Sequence, residues 1–262
     1  MPTVPTPAST PAPTSAPQQR RRWLAEIAIV LAVTFGMSGV RSALRLLDAL
    51  TRPESLSSQQ VTLNSSQAHS AWLDAALQLC SAGVLFAWGA LALFLLAGDG
   101  IRPRKPQLAD APLGLFFAAL IGLPGLALYV FALHHGWSKE VIPADFAHPW
   151  VQVPALLTWS AANAFAEEFV VVLWLLHRLR GLGAAPAVAV GTSAVLRGTY
   201  HLYQGVSAGL GNLAMGVIFA YFYQRTGRIW PLVLAHFLID AVAFVGYALL
   251  GDVLADLRWL GL

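Results

Sequence analysis

Two adjacent carboxylates, Glu167 and Glu168, sit inside the run AANAFAEEFVVVLWLLHRLR, which is otherwise apolar and long enough to cross a bilayer. An ionisable group near mid-membrane costs roughly 2.5 to 3.5 kcal/mol on insertion scales, so such a pair is expected to face a protein interior and to have partners. The later apolar segments supply candidates: Arg197 and His201, four apart on one helix, and His236 and Asp240, four apart on another. Residues at that spacing share a helical face, where Asp240 can set the tautomer and orientation of the His236 imidazole. Glu167 and Glu168 diverge by about 100° around their helix, so one can enter a shared cavity while the other braces it. Asn163, one turn before Glu167, is placed to hydrogen-bond it.

The chemistry these residue types allow is hydrolysis. Two close carboxylates in a low-dielectric cavity cannot both ionise freely, so one is expected to exchange protons near neutral pH and serve as a general base. Glu167, assisted by His201, would activate water for attack on a peptide carbonyl, and His236, oriented by Asp240, would polarise that carbonyl or stabilise its oxyanion. The same residues could instead form a polar network that locks three helices together, since polar side chains also join membrane helices.

The elements that position them follow from composition. The 262 residues are 57% hydrophobic and 11% charged, against about 25% charged in soluble domains, and the mean hydropathy is +0.62. This is the composition of a membrane protein, and the fold class expected is an all-α polytopic transmembrane bundle of seven or eight spans. Residues 1–22 are read as a disordered cytoplasmic tail rich in Pro, Thr, Ser and Ala, ending in Arg20, Arg21 and Arg22. The triplet also resembles the start of an export signal, but the long apolar run after it and the spans that follow favour an uncleaved first helix.

Helices are expected at about Trp23–Val40, Trp72–Ala97, Pro112–Leu133 (kinked at Pro124), Val151–Leu176, Ala185–Tyr203, Leu213–Tyr223 and Ile229–Leu249. Thr51–Ser70 and the Gly-rich stretch after Tyr203 read as loops. Residues 23–150 would form the N-terminal transmembrane helices, and 251–262 a C-terminal tail. Basic residues concentrate in the tail and in the loops after the second, fourth and sixth helices, where His177, Arg178 and Arg180 read as a basic stop. The positive-inside rule therefore places the N-terminus in the cytoplasm of a multi-pass cell-membrane protein. Clusters of this kind write topology, and no nucleic-acid site is read from the net charge of +3. The single cysteine, Cys80, lies in an apolar run and permits no intrachain disulfide or CxxC site. Oligomeric state leaves no signal in the sequence.

The segments AEEFVVV, RGTYHLYQG and HFLID, in that order, resemble the motifs of the CAAX protease and bacteriocin-processing (CPBP, or Abi) family of intramembrane proteases. The likeness covers roughly Val151 to Gly246 and implies a catalytic core over residues 151–250. In that family the motifs are EExxxR, FxxxH and HxxxN or HxxxD. The resemblance implies that Glu167 and Glu168 supply the base, that His201 is the second-motif histidine and that His236 and Asp240 form the third motif. Two positions depart from the pattern. Val172 stands where the arginine of EExxxR would fall, and Arg197 stands where the phenylalanine of FxxxH would fall, so Arg197 is expected to return from the fifth helix the positive charge missing from the fourth. His201 also falls nearer the outer end of its helix than the glutamates do of theirs.

The substrate implied is a peptide or membrane protein reached within the bilayer. A metal-free glutamate mechanism is favoured, with zinc held by Glu167, His201 and His236 as its rival; no HExxH is present. Outside the enzyme class, a binding or immunity-type membrane protein could use the same cavity. A small-molecule transporter ranks third, because no repeated halves are recognisable. Tyr200, Tyr203 and Gln204 could line the cavity, although aromatic residues near a helix end more often anchor at the interface.

Overall fold

A computed structural model describes residues 16–142 and 149–246. The chain folds as an all-α bundle whose helices follow the apolar segments of the sequence. The expected first helix is a bent pair, α1 (Ala16–Val33) and α2 (Phe35–Leu50), meeting at 49°. The bend has a local cause. Thr34 leaves helical geometry, its hydroxyl donates to the Val30 carbonyl at 2.6 Å, and at Gly36 a Cβ would come within 2.6 Å of the Leu31 carbonyl oxygen. Helix α1 also begins earlier than the composition of the tail suggests, because Pro17 occupies the first helical turn, where its missing N–H costs nothing, and the residues after it favour helix. The rest of the expected tail, and the expected C-terminal tail, lie outside the described residues.

Helices α3 (Ala71–Gly98) and α4 (Ala111–His134) match their expected bounds closely, with Pro124 inside α4. The fourth segment is continuous from Pro149 to Gly181. It comprises α5 (Pro149–Glu167), a π-helical stretch (Glu168–Trp174) and α6 (Leu175–Gly181). Helix α7 (Pro186–His201) ends in a 3-10 turn, Leu202–Gln204. Helix α8 (Val206–Thr226) starts seven residues before the expected point, absorbing the Gly-rich stretch that was read as a turn. The reason is packing. A Cβ on Gly198 would meet the Gly209 carbonyl oxygen at 2.8 Å, so these glycines let the α7 and α8 backbones approach closely. Helix α9 (Trp230–Ala241) continues into a π-helical turn, Val242–Gly246, and packs on α4 and α5.

Among the described residues four helices are long and apolar enough to cross a bilayer: α3, Leu108–His134, Val151–Gly181 and α8. The bent α1–α2 pair makes five. The sixteen-residue α7 and the apolar Trp230–Gly246 segment are shorter and complete the seven helical units expected. Phe169–Leu176 forms the buried axis of the bundle, every residue at 2% exposure or less. Large apolar side chains such as Phe94, Leu123 and Val195 are instead exposed on the outer faces of α3, α4 and α7, as lipid-facing positions should be. Cys80 is likewise exposed and free.

The loop expected over Thr51–Ser70 carries a short strand, β1 (Gln60–Thr62), which pairs in parallel with β2 (Glu140–Ile142) in the register Gln60 to Glu140. Leu56 anchors this loop in a small apolar cluster with Leu46, Ala49, Leu202 and Val206. The loop is thereby fixed to the end of the bundle where α2 and α7 terminate.

Candidate active site

The site forms where the fourth segment changes its winding. Glu167 ends α5, and the wider π-helical turn begins at Glu168, as inserted π turns often do at functional positions. Widening disturbs the backbone ladder, and Ser193 of α7 donates its hydroxyl to the Val171 carbonyl at 2.8 Å. Helices α7 and α9 bring the remaining polar groups to this turn.

Glu168 is completely enclosed and held from two sides. Arg197 Nη2 donates to Glu168 Oε1 at 2.6 Å, and His236 Nδ1 lies 2.8 Å from the same oxygen. An ionised carboxylate only accepts, so Nδ1 of His236 carries a proton and donates it. Glu167 is 6% exposed. Its Oε2 accepts the Tyr200 hydroxyl at 2.7 Å and lies 3.6 Å from Arg197 Nη1 and 4.0 Å from His236 Nε2. Two carboxylates, a guanidinium, an imidazole and a phenol thus share one enclosed cluster. Each buried charge has an opposite charge beside it, the condition under which such groups are tolerated in an apolar interior.

Glu167, Glu168, Arg197 and His236, all anticipated from sequence, are brought together, but several expected pairings differ. The imidazole of His236 is hydrogen-bonded by Glu168, while Asp240 Oδ1 stands 3.7 Å from Nε2, beyond hydrogen-bonding distance. The i, i+4 spacing put Asp240 on the correct face, on the Nε2 side, while Glu168 engages the other ring nitrogen, Nδ1. Asn163 donates to Asp240 Oδ2 at 3.2 Å and not to Glu167. His201, the last residue of α7, hydrogen-bonds through Nδ1 to its own Arg197 carbonyl at 3.0 Å and stays within electrostatic reach of Glu167. Val172 lies in the apolar axis with no exposure, and the cation beside Glu168 comes from α7.

Tyr200 was read from sequence as a position near a helix end, yet it is the hydrogen-bond partner of Glu167. The signal was present: Arg197, Tyr200 and His201 follow the i, i+3, i+4 pattern of one helical face. Arg178, read as part of a basic stop, is buried in a separate network. It binds Glu26 Oε1 at 2.6 Å and Asp99 Oδ2 at 2.8 Å, and Trp174 Nε1 donates to the same Glu26 oxygen at 2.8 Å.

The zinc alternative would draw on Glu167, His201 and His236. Among the described residues no three His, Cys, Asp or Glu side chains group as metal ligands. One oxygen of each glutamate is engaged by Tyr200 or by Arg197 and His236, and the guanidinium already stands where a metal's positive charge would balance them.

The fold and cluster define a membrane protein with an enclosed acid, imidazole and guanidinium centre. Residues 149–242, about a third of the chain, match the family model described as Type II CAAX prenyl endopeptidase Rce1-like. That stretch includes α5, the π turn, α7, α8 and α9 with every glutamate, arginine and histidine of the cluster. At the level of the family the match supports a CAAX-type intramembrane protease. No curated protein and no solved structure matches the chain.

Proposed function

We propose that the protein is a membrane-embedded endopeptidase in which Glu167 is the general base and no metal takes part. The observation that carries this reading is the division of labour between the two glutamates. Glu168 has one oxygen committed to Arg197 and His236, whereas Glu167 keeps a slight exposure and touches the cluster through Tyr200. A water between Glu167 and His236 Nε2 would attack the peptide carbonyl carbon and pass its proton to Glu167. The carbonyl oxygen would gather negative charge, and His236 protonated on Nε2 would donate to it, its Nδ1–H remaining on Glu168. Collapse breaks the C–N bond, and Glu167 returns the proton to the leaving amine.

In this scheme Tyr200 and Arg197 position the glutamates, and Asp240, steadied by Asn163, stands near Nε2 of His236. The substrate is a polypeptide segment reached within the bilayer. The test is peptide cleavage by the purified protein in detergent, wild type against Glu167→Gln, with and without a chelator. A protein that binds peptides without cutting them would leave the peptide intact in every arm.

A further inference from the structure

A groove on the flank of the bundle lies apart from the glutamate cluster. Helices α3 and α4 leave part of α5 and α9 uncovered between them, and the groove there has a volume of about 610 Å³. That is within the range of about 300 to 1,000 Å³ typical of small-ligand sites. Its walls are Phe86 of α3, Phe165 of α5, and Val233, Leu234 and Phe237 of α9. Phe86 is exposed and the others are half-buried, so the groove opens sideways to the hydrocarbon of the bilayer. No residue of the glutamate cluster lines it.

One end of the groove is polar, and direct contacts fix what stands there. Asp110, 4% exposed, lines this mouth just before α4. Arg104 Nη2 donates to Asp110 Oδ1 at 2.5 Å, and Arg228 donates to the same oxygen through Nε at 3.1 Å and Nη2 at 2.7 Å. The Gln107 N–H donates to Oδ2 at 2.8 Å. Arg228 Nη2 also reaches the Ala109 carbonyl at 2.9 Å, and the indole of Trp230, itself part of the groove wall, donates to the Arg104 carbonyl at 2.7 Å.

Positive charge and donors are both in surplus at this mouth. One carboxylate faces two guanidiniums, and Arg102 and Lys105 in the same loop add further positive charge. A guanidinium has five N–H donors. Arg104 commits only Nη2, and Arg228 only Nε and Nη2. Among the described residues the Arg104 Nε, shut off from solvent, has no hydrogen-bond partner.

We infer that this groove holds an anionic phospholipid, with an acyl chain against Phe86, Phe165 and Phe237 and the headgroup phosphate accepting from Arg104 and Arg228. The apolar walls would accept any lipid tail, so the mouth sets the choice. A zwitterionic headgroup brings a cation of its own beside the arginines, which opposes its binding, whereas an anionic one does not. Basic pockets between membrane helices recognise anionic headgroups by the same pairing. The bound lipid ties the loop before α4 to the start of α9, the helix that carries His236.

The test is native mass spectrometry of the purified protein in detergent, with dioleoylphosphatidylglycerol or dioleoylphosphatidylcholine added at equal concentration. Phosphatidylglycerol should be retained about tenfold more than phosphatidylcholine. Glycerophosphate, which has the anion without the chains, should not be retained. Arg104→Gln and Arg228→Gln should each lower the preference about fivefold. Since either change disturbs the pairing of Asp110 and with it the fold, a second variant leaves every charge in place. Ala161→Trp fills the groove from α5 and should abolish retention. Arg225→Gln, outside the groove, should leave retention intact. Phosphatidylglycerol should also raise the thermal midpoint of the wild type and not that of Ala161→Trp. Equal retention of the two lipids, retention that survives Ala161→Trp, or retention of glycerophosphate overturns the inference. So does displacement of the lipid by an apolar peptide, which would assign the groove to a polypeptide.

Discussion

Arg197 of α7 reaches 29 residues back along the chain to place Nη2 at 2.6 Å from Glu168 Oε1, with both side chains shut off from solvent. The pair ties α7 to the π turn and places a cation beside the Glu168 carboxylate. Removing one member of a buried pair strands the other charge and costs about 3 to 5 kcal/mol, whereas removing both costs less than the sum. Arg197→Leu and Glu168→Gln should therefore each lower the thermal midpoint in detergent strongly. The Arg197→Leu/Glu168→Gln double variant should recover much of the loss. Additive losses would mean that the two side chains are not coupled.

The Arg178 network is expected to matter for stability and not for chemistry. Arg178 is 1% exposed and bonds Glu26, Asp99 and the Leu95 carbonyl, joining α1, α3 and α6. Arg178→Leu should destabilise by about 3 kcal/mol or more by stranding two carboxylates. The exposed Arg180→Ala should stay within about 0.5 kcal/mol. Thermal unfolding of the two variants in the same detergent makes the comparison, and equal midpoints would remove Arg178 from the network's keystone position.

How far the sequence could be read depends on which physical rule governed each residue. Apolar runs located the helices because a bilayer demands about twenty such residues whatever their neighbours. Glu167, Glu168, Arg197 and His236 stood out because charge inside those runs requires partners. Helical spacing put Asp240 on the Nε2 side of His236 but could not show that Glu168, on another helix, holds Nδ1, and nothing in EFVVVLW marks the π-helical winding that begins there. Glycines were misread for a related reason. Gly209 and Gly211 look like turn residues, but Gly209 lies inside α8, opposite Gly198, where closeness of backbones is what glycine provides. The burial of Arg178 likewise depends on neighbours distant in sequence, Glu26, Leu95 and Asp99.

Topology offers an independent check. Basic residues concentrate before Trp23, between α3 and α4, and at the ends of α6 and α8, so that end of the bundle is expected in the cytoplasm. With Cys80 replaced by Ser, single cysteines at the exposed positions Lys105 and Ser65 should react with a membrane-impermeant maleimide from opposite sides. In intact cells Ser65→Cys should be labelled and Lys105→Cys should not until the membrane is opened. Labelling of both from one side would break the orientation.

The sharpest expectation separates base catalysis from a network that only holds helices together. Glu167→Gln keeps the size of the side chain and can still pair with Tyr200, but it cannot take a proton from water. If Glu167 is the base, cleavage should fall by about 10² to 10⁴ while the thermal midpoint changes little. A purely structural network would respond in the opposite sense, tolerating Gln because it relieves a buried charge. His236→Ala should cost about 10² to 10³ in turnover through the lost oxyanion donor. Asp240→Asn should cost less, because its carboxylate lies 3.7 Å from Nε2 and Glu168 holds the ring from the other side. Tyr200→Phe removes one hydrogen bond to Glu167 and should lower turnover by about tenfold, with a small loss of stability. Chelators should leave wild-type cleavage unchanged. The deciding measurement is turnover of a labelled peptide by each purified variant beside its thermal midpoint: wild-type turnover by Glu167→Gln would remove it from the role of base, and loss of activity on chelation would return a metal to the mechanism.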